Sequence, residues 1–463
     1  MSLTFFNTLS AQSEEFKPID KKKVRLYTCG PTVYDYAHIG NFRAYVFEDL
    51  LRRWLIYRGF KVEQVMNITD VDDKTIANAN KKKVDLNTYT APYIQAFRED
   101  LETLRIQPAE HYPRATEYIP QMIQLIQKLE KNQHAYVQDG NVYYRVSTFK
   151  AYGSLSKKDL EMNQAGARVD SDEYQKEDAQ DFALWKKSKD NEPAWESPYG
   201  KGRPGWHIEC SAMSMSLLGE QFDIHTGGED NIFPHHENEI AQSQGATGKK
   251  FVNYWLHCKF LLVEGEKMSK SKGNFYTLRD LIQKGHDPLA IRFLLLTHNY
   301  DHPLNFTFAG LHQAKSAVDR FNEFLSRLHQ ADGEKEANSE LVKSLIQKAS
   351  EEFEKALDEN LNIAKAVAGI FELIRELNIL LDQSKVGSKE KTDIVHFMKQ
   401  VNDVLDIQRA EAQIPDEVKR LAQERENARK LKDFMKSDEL RDKIAQLGFV
   451  VEDTKQGPVV KKR

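Results

Sequence analysis

The hydrophobic pattern near the start of the chain changes from the period of a strand to that of a helix and back. In VRLYTC (24–29) apolar side chains alternate with polar ones, which predicts a short strand. From His38 to Tyr57 apolar residues recur every three or four positions, which predicts a helix that Gly59 ends. KVEQVMNIT (61–69) predicts a second strand. Strand, helix and strand in this order indicate a βαβ unit and therefore a parallel sheet.

The carboxyl ends of parallel strands meet at one edge of a sheet, and ligands bind there. Residues 29–41 and 69–73 follow the two predicted strands, so we expect both segments to lie at this edge. The expected fold class is α/β, with a Rossmann-like parallel-sheet domain that carries an insertion and is followed by a helical bundle.

Residues 114–200 show a different pattern, which predicts an insertion into this domain. A predicted helix (118–131) leads to a strand-like run (141–149). A polar, charged stretch from 156 to 191 then predicts irregular structure. GWHIEC (205–210) returns to a strand-to-helix pattern, so the first domain is expected to resume there.

The last third of the chain is mostly helical in its pattern. Apolar residues close to helical spacing predict a bundle over 319–405, with polar segments at 331–340 and 383–392 separating helices. A charged helix (416–430), a second helix and a short strand (449–453) complete the chain.

The composition is that of an ordinary globular protein and narrows the function only slightly. The 463 residues are 40% hydrophobic and 29% charged, and no stretch approaches the ~20 apolar residues of a membrane span. The lack of such a stretch predicts no membrane contact. Three cysteines are too few for a disulfide scaffold, so a reducing, cytoplasmic setting is expected. The net charge of −4 neither indicates nor excludes a nucleic-acid partner, because basic residues can concentrate on one face.

The segment YDYAHIGN (34–41) combines a histidine with a glycine where the predicted helix begins. The N–H groups of a helix N-terminus favour an anion such as a phosphate. His38 can donate a hydrogen bond to charge that develops on a phosphoryl group, and Gly40 leaves room for a nucleotide base near the backbone. A histidine before a helix is more often a simple cap, so this segment alone identifies nothing.

A second candidate segment, EGEKMSKSKGN (264–274), is a basic loop bounded by glycines. Lysines neutralise the oxygens of a triphosphate and hydroxyls donate to them, so such a loop suits a nucleotide. The alternative is a solvated basic loop without a ligand. The candidate ligands of the triphosphate are Lys267, Ser269, Lys270, Ser271 and Lys272.

The cysteines suggest a metal site. Cys29 ends the first predicted strand, and Cys210 lies in WHIECSAMS. FPHHENEIAQS supplies His235 and Glu239, which are four residues apart and therefore share one face of a helix. Two thiolates, an imidazole and a carboxylate form a plausible zinc set. Because the pieces are far apart in sequence, buried free cysteines are the alternative.

The two candidate loops together resemble those of class I aminoacyl-tRNA synthetases, which pair an HIGH-like element with KMSKS. The strings TCGPTVYDYAHIGN, NITDVDDKTI, GWHIECSAMS, GGEDNIFPHHENEIAQS and EKMSKSKGNF resemble the signatures of the cysteinyl-tRNA synthetases. Two positions depart from that family's pattern. Asn41 replaces the last histidine of HIGH, and Thr226 stands where the family often has glycine.

The resemblance implies three sets of functional residues. The zinc ligands would be Cys29, Cys210, His235 and Glu239, and the ion would bind the substrate thiolate. The ATP-binding residues would be His38, Gly40, Asn41, Lys267, Ser269, Lys270 and Ser271, with Mg²⁺ bound to ATP. Of these, the catalytic residues would be His38, Lys267 and Lys270. The cysteine pocket would contain Cys29, Thr69, Trp206 and Asp230, although ordinary core packing is an alternative for Trp206. His207 and His236 are candidates for supporting the ligands.

A zinc site would also explain how cysteine is selected. Serine and cysteine differ by one atom, so the shape of a pocket discriminates poorly between them. Zinc prefers a soft thiolate and lowers the pKa of a thiol that binds it. Selection at the metal makes a hydrolytic editing site unnecessary, and the insertion is expected not to be one.

The resemblance further implies a domain organisation and partners. The expected domains are 1–113 and 201–318 (the two halves of the catalytic domain), 114–200 (the insertion), 319–405 (a helical bundle that contacts tRNA) and 406–463 (a small anticodon-recognition domain). The expected partners are ATP, L-cysteine and tRNA(Cys), and the protein is expected to be a monomer.

Three other functions could account for part of these motifs. A cysteine:sugar ligase of the mycothiol type would share the core but lack the anticodon-like region. A zinc hydrolase would have no use for KMSKS, and no HExxH is present. A binding protein without catalysis would not need the catalytic strings.

Overall fold

The computed structural model describes residues 2–157, 180–190, 192–331, 339–410, 415–454 and 457–462. These residues form two compact units, Met1–Ile407 and Gln408–Arg463, each of which is described by itself.

Strands and helices alternate through the first half of the chain, and helices dominate the second. The strands are β1 (Thr4–Asn7), β2 (Gln12–Glu15), β3 (Lys23–Thr28), β4 (Lys61–Met66), β5 (Ala135–Gln138), β6 (Asn141–Tyr144), β7 (Phe182–Lys187), β8 (Gly202–Pro204), β9 (Phe222–Gly228), β10 (Val252–Cys258), β11 (Leu261–Val263), β12 (Glu266–Lys267), β13 (Leu304–Phe306), β14 (Phe449–Thr454) and β15 (Gly457–Lys462). The helices are α1 (Ile39–Tyr57), α2 (Asp73–Lys82), α3 (Leu86–Thr103), α4 (Ile119–Lys131), α5 (Trp206–Leu218), α6 (Glu237–Thr247), α7 (Leu278–Gln283), α8 (Pro288–Leu296), α9 (Phe308–Gln330), α10 (Ser339–Asp358), α11 (Ile363–Asp382), α12 (Ser388–Leu405), α13 (Asp416–Lys430) and α14 (Phe434–Gln446).

The predicted parallel sheet is confirmed. Its four strands lie in the order β10-β9-β3-β4, and every neighbouring pair is parallel. The second strand ends at Met66 rather than at residue 69, because the chain then turns toward α2. β3 and β9 are the two inner strands, so their carboxyl ends lie in the middle of the ligand-binding edge.

Both faces of this sheet are covered, as parallel strands require. Successive side chains of a strand point to opposite faces. Accordingly, Val24 and Leu26 of β3 belong to an apolar cluster that includes α1, whereas Tyr27 belongs to a second cluster with residues of α4 and α5. The sheet therefore holds its strand ends rigidly between two layers of helix.

A buried charge network ties α1 to the helices that follow the sheet. Asp49 accepts hydrogen bonds from Arg53 (2.8 Å) and from the fully buried Arg292 (2.6 Å). Arg53 also donates to Asp406 (2.9 Å), and Arg292 donates to the carbonyl of Leu405 (2.9 Å). Because buried charges need several partners, this network fixes α1 against α8 and the end of α12.

The insertion is more regular than its sequence indicates. It contains the antiparallel sheet β5-β6-β7-β8. The predicted strand 141–149 ends at Tyr144, because a turn of 3₁₀ helix over Val146–Thr148 follows. The expectation of irregular structure over 156–191 is wrong for β7; residues 158–179 and 191 lie outside the described part.

The helices after the sheet begin with α9, earlier than the predicted start at 319, and end with α12. The prediction of a separating segment over 383–392 is wrong from Ser388 onward, because α12 begins there; residues 332–338 of the other segment lie outside the described part. In the described part of the chain, no helix has both the length and the apolar character that a membrane span needs.

The unit Gln408–Arg463 has its own small core. The predicted helix 416–430 is confirmed as α13, and the predicted strand appears as β14, which pairs with the unpredicted β15. Val418 of α13, Ile444 of α14 and Val451 of β14 are buried together. The buried Arg425 of α13 makes a two-pronged contact with Asp453, at 2.6 and 3.0 Å.

Candidate metal and nucleotide site

Four side chains from three parts of the sequence meet at the carboxyl end of β3. Cys29 directly follows β3, and Cys210 lies in α5. His235 lies just before α6, and Glu239 lies in the first turn of α6. One potential ligand atom from each lies within 4.8 Å of the others. Cys29 is half-buried and the other three are buried. The structure thus brings together all four side chains that the sequence singled out as a donor set.

The protonation of this cluster suits a cation. Cys29 donates a hydrogen bond to Cys210, and this contact, with help from His235, lowers the pKa of Cys210 to about 6 despite its burial. The same contact and burial raise the pKa of Cys29 well above its usual value. Burial disfavours ionised Glu239, yet His225 and His235 outweigh it and hold its pKa at about 2. A thiolate and a carboxylate are therefore present at neutral pH. Burial disfavours protonated His235, yet Cys210 and Glu239 outweigh it and raise its pKa to about 10, so a metal ion would displace the proton of His235 on binding.

One oxygen of this carboxylate is left without a hydrogen bond. Oε1 of Glu239 is buried and lies 3.1 Å from Nε2 of His235, but the geometry there does not make a hydrogen bond. A buried carboxylate oxygen without such a partner is costly, and a metal ion would remove that cost. The donor set of two sulfurs, one imidazole nitrogen and one carboxylate oxygen fits zinc.

A second group of histidines surrounds the first. His225 and His236, with Cys29 and Glu239, form an overlapping set of possible ligands. His225 Nε2 lies 3.1 Å from Glu239 Oε2, and His236 Nε2 lies 3.2 Å from Cys29 Sγ. His236 Nδ1 in turn contacts His257 Nε2 at 2.8 Å. Partners of this kind orient the ligands of a metal.

Two of the other predicted pocket residues, Thr69 and Trp206, lie beside residues of this cluster. Thr69 donates a hydrogen bond to the buried Glu209 at 3.1 Å. Trp206 is 43% exposed and stacks on His235 with ring centroids 4.3 Å apart, so the alternative of core packing is wrong for it. His207 Nδ1 lies 3.0 Å from His235 Nδ1. The Trp206 indole covers a candidate metal ligand and is itself exposed to solvent, so it can form one wall of an open pocket.

The two candidate nucleotide loops also meet. Lys270 Nζ lies 2.6 Å from Asp35 Oδ2, and both Lys270 and His38 contact the ring of Phe275, at 5.0 and 5.3 Å from its centroid. The backbone N–H of Ile39 donates to the carbonyl of Tyr276 at 3.0 Å. The HIGN and KMSKS segments therefore form one surface.

His38 is held in a defined orientation as the N-cap of α1. Its Nδ1 accepts the N–H groups of Gly40 (3.1 Å) and Asn41 (3.3 Å), and the Asn41 side chain accepts the N–H of His38 (3.0 Å). Because Nδ1 is an acceptor, the ring proton resides on Nε2. Burial lowers the pKa of His38, while Asp230 opposes that shift, so the ring is neutral at pH 7.

The sequence predicted that the N–H groups at the start of α1 contact a phosphate, and the structure gives two of these groups a different partner. Gly40 and Asn41 use these groups on His38, so they orient the histidine instead. A Cβ atom at Gly40 would lie 2.9 Å from the ring of His38 and 3.4 Å from Cε of Met268, which explains the need for glycine. The other loop residues, Lys267, Ser269 and Ser271, lie in the partly exposed KMSKS segment.

Several residues at the site were missed in the sequence. His225 and His257 lie in strands whose patterns indicate only buried positions, and Glu48 and Asp35 resemble ordinary surface charges. The structure buries Glu48 completely and places Asp35 against Lys270. Only His225, two positions before the first glycine of GGED, carried a signal that could have been used.

Comparisons with known proteins agree with this geometry. Residues 15–316 match the model of the class I (C) tRNA synthetase catalytic domain, residues 352–408 match the DALR domain, and residues 411–458 match the cysteinyl-tRNA ligase anticodon binding domain. The M. tuberculosis methionyl-tRNA synthetase in complex with methionyl-adenylate has a similar fold, with a TM-score of 0.59 and 14% identity over 83% of this chain and 90% of that chain.

Curated relatives are similar over the whole length. The cysteine--tRNA ligase of Protochlamydia amoebophila is 50% identical, over 100% of this chain and 98% of that protein. The cysteine--tRNA ligase of Brachyspira hyodysenteriae is 48% identical, over 98% of each. With a catalytic family model covering more than half of it and relatives matching it from end to end, this chain belongs to the cysteine--tRNA ligase family of class I tRNA synthetases.

Proposed function

We propose that this protein activates L-cysteine with ATP and transfers the cysteinyl group to the 3′-terminal ribose of tRNA(Cys). The observation that carries the proposal is the position of two groups at one edge of the sheet. The Cys29–Cys210–His235–Glu239 cluster lies beyond β3, and His38 begins the helix that follows β3. A thiol-binding cluster and a phosphate-binding histidine are thereby only one loop apart.

The proposed ligands of zinc are Cys29, Cys210, His235 and Glu239. When bound, zinc would supply a soft Lewis acid that prefers the thiolate of cysteine to the hydroxyl of serine. The protein itself would position the rest of the substrate. Trp206 and Thr69 would enclose the side chain, and the carboxylate of Asp230 would face the ammonium group.

Adenylation requires stabilisation of charge on the phosphates. The carboxylate oxygen of cysteine attacks the α-phosphorus, and the bond from that phosphorus to the bridging oxygen breaks, so that pyrophosphate leaves. The Nε2 proton of His38 would donate to an α-phosphate oxygen in the transition state. Lys267 and Lys270, with the hydroxyls of Ser269 and Ser271 and with Mg²⁺, would neutralise the leaving pyrophosphate. A ribose hydroxyl of the tRNA then attacks the cysteinyl carbonyl, and AMP leaves.

We also propose the domain roles given by the sequence: 1–113 and 201–318 for catalysis, 114–200 as an insertion, 319–405 for tRNA contact and 406–463 for the anticodon. A groove of about 410 Å³ between α9 and α11 supports a tRNA contact, because its three arginines, Arg320, Arg327 and Arg375, outnumber its two acids, Glu323 and Asp382. Arg327 pairs with Asp382. The three free cysteines support a reducing, cytoplasmic location. We propose that the protein acts as a monomer.

The test is charging of unfractionated tRNA with labelled cysteine, with labelled serine as the control. We expect charging by cysteine and none above background by serine. If cysteine-dependent pyrophosphate exchange occurs without any charging, the acceptor is a small molecule, as in a cysteine:sugar ligase. If neither reaction occurs, the proposed function is wrong.

A second prediction concerns an exposed apolar surface between α13 and α14. Leu431, Phe434 and Met435 are 81%, 64% and 86% exposed, and Lys430, Lys432 and Lys436 adjoin them in sequence. Aromatic rings beside cations bind unpaired bases, and each stacked base contributes about 1–3 kcal/mol. We therefore propose that this surface binds the anticodon.

Phe434→Ala is expected to raise the KM for tRNA roughly 5- to 100-fold, because a stacked base is lost. Pyrophosphate exchange, which needs no tRNA, should be unchanged. Phe434→Trp keeps an aromatic face and is the matched control. Equal charging kinetics in Phe434→Ala and the wild type would exclude this ring from tRNA binding.

A further inference from the structure

Glu48 is a buried acid for which the described part of the chain provides no cationic partner. It lies in α1 with 0% of its surface exposed, and its Oε1 accepts a hydrogen bond from the hydroxyl of Thr226 at 2.9 Å. Its Oε2 is buried and has no hydrogen-bond partner, and no ion pair with Glu48 exists among the described residues. A buried carboxyl group with one unpaired oxygen lowers the stability of the fold. We therefore infer its role from its one hydrogen-bond partner, Thr226.

Thr226 is the point where three parts of the site meet. Its hydroxyl reaches Glu48, its carbonyl accepts the N–H of Cys29 at 3.4 Å, and the same carbonyl lies 3.2 Å from Nδ1 of His225. His225 in turn contacts Glu239 through its other nitrogen. One peptide group therefore holds the backbone of one candidate metal ligand and, through His225, the carboxylate of another.

Glu48 connects this junction to the nucleotide side of the site. The helix that carries it begins at His38 and is fixed at its far half by the Asp49–Arg292 contact. The hydrogen bond between Glu48 and Thr226 joins α1 to β9, next to the backbone that contacts Cys29. A shift of Thr226 would change the separation of Cys29 from Glu239.

We propose that Glu48 and Thr226 are positioning residues for cysteine selection, whose hydrogen bond sets the spacing of Cys29 and Glu239. This inference rests on the proposed function. Neither residue touches the substrate in this proposal. Both act through the carbonyl of Thr226 and the ring of His225.

The protonation of Glu48 agrees with this role. Burial raises its pKa to about 8, although the Thr226 hydroxyl opposes the shift, so the acid is neutral at pH 7. The titratable groups that face it are Tyr45 on its own helix, Cys258 of β10 and Cys29. A neutral acid beside Cys29 adds no negative charge to a cluster that already holds a thiolate and a carboxylate.

The test compares Thr226→Val with Thr226→Ser in the full-length, zinc-loaded protein. Valine keeps the shape of threonine but leaves Glu48 with no partner, whereas serine keeps the hydroxyl. In pyrophosphate exchange, we expect Thr226→Val to raise the KM for cysteine about 5- to 30-fold, the equivalent of losing one buried hydrogen bond. The KM for ATP should stay within about twofold, and Thr226→Ser should restore the KM for cysteine to within about threefold.

Glu48 provides an independent arm of the test. Glu48→Gln keeps an oxygen that accepts from Thr226 and should behave like the wild type, whereas Glu48→Met should behave like Thr226→Val. Should Thr226→Val fail to fold, Thr226→Ala removes the hydroxyl without adding a methyl group near Glu48 and replaces it in the comparison.

Two results would overturn the proposal. One is a lower melting temperature in the valine or alanine variant with an unchanged KM for cysteine, which indicates a purely structural contact. The other is an equal rise in the KM for cysteine and for ATP. Failure of the proposed function is distinguishable, because the wild type would then show no cysteine-dependent exchange.

Discussion

Cys210→Ser will bind much less than one zinc ion per chain and lose at least about 100-fold in kcat/KM for cysteine, since even residues that only support a metal ligand contribute 10- to 100-fold. The physical reason is the protonation of the site. Cys210 has the thiol whose pKa is lowered to about 6, so it is the sulfur that is already ionised before a cation binds. A serine hydroxyl does not ionise at neutral pH and is a poor ligand for a soft metal.

The measurement is zinc content by atomic absorption together with cysteine-dependent pyrophosphate exchange. Cys258→Ala is the matched control, because Cys258 is also buried, yet it belongs to neither set of possible ligands. It should retain zinc and activity. Full zinc content and normal exchange in Cys210→Ser would remove this residue from the metal site.

The same assay separates the two overlapping sets of ligands. If the set with Cys210 is correct, His235→Ala loses zinc as completely as Cys210→Ser does. His236→Ala then loses only the support of Cys29 and weakens zinc binding by about 10- to 100-fold. The reverse order would assign the ion to His225 and His236.

Lys270→Ala is expected to lower the rate of adenylation by about 100- to 1,000-fold, as for loss of one preorganised charge that stabilises a transition state. Lys270 lies beside Asp35 and Phe275 on the surface that also contains His38, so in the proposed function its ammonium group would lie near the phosphates of ATP. The binding of cysteine should change little, because the metal cluster is untouched.

Lys272→Ala is the control for charge in the same loop. Lys272 pairs at 2.9 Å with Glu266 of its own loop, whereas Lys270 pairs with Asp35 of the segment that contains His38, so removal of Lys272 should change the rate by less than about fivefold. Pre-steady-state measurement of adenylate formation gives the rate directly. Equal rates for Lys270→Ala and the wild type would exclude Lys270 from the chemical step.

The sheet, and the position of Cys29 at its ligand-binding edge, could be predicted because they follow from period and topology, whereas the set of four metal ligands came from the resemblance. The change of period between 24–29 and 38–57 predicted a parallel unit, and parallel strand ends meet at one edge. Cys29 was therefore expected at the ligand-binding edge before any contact was known. The roles of the loop lysines came from resemblance, and they stay predictions.

Other features could not be read from local pattern. The first turns of α12 are polar, so they lack the apolar stripe that predicts a helix. A capping contact stabilises this end instead, in which Glu390 accepts the N–H of Gly387 at 3.0 Å. β7 follows a long polar stretch that hides it. Glu48 looks like one charge in the run EDLLRR, and only its burial against Thr226, far away in sequence, distinguishes it.

The position of β9 between β3 and β10 has a consequence for synthesis of the chain. β3 and β4 leave the ribosome one soon after the other. At ~5–20 residues per second, the roughly 160 residues between β4 and β9 then take about 8–30 s to make. During that interval one edge of β3 has no partner strand, and such an edge is prone to aggregate. Cys29 also waits for Cys210, His235 and Glu239, which all emerge near β9 or after it. The complete metal site would therefore form at about the time when β9 pairs with β3 in the nascent chain.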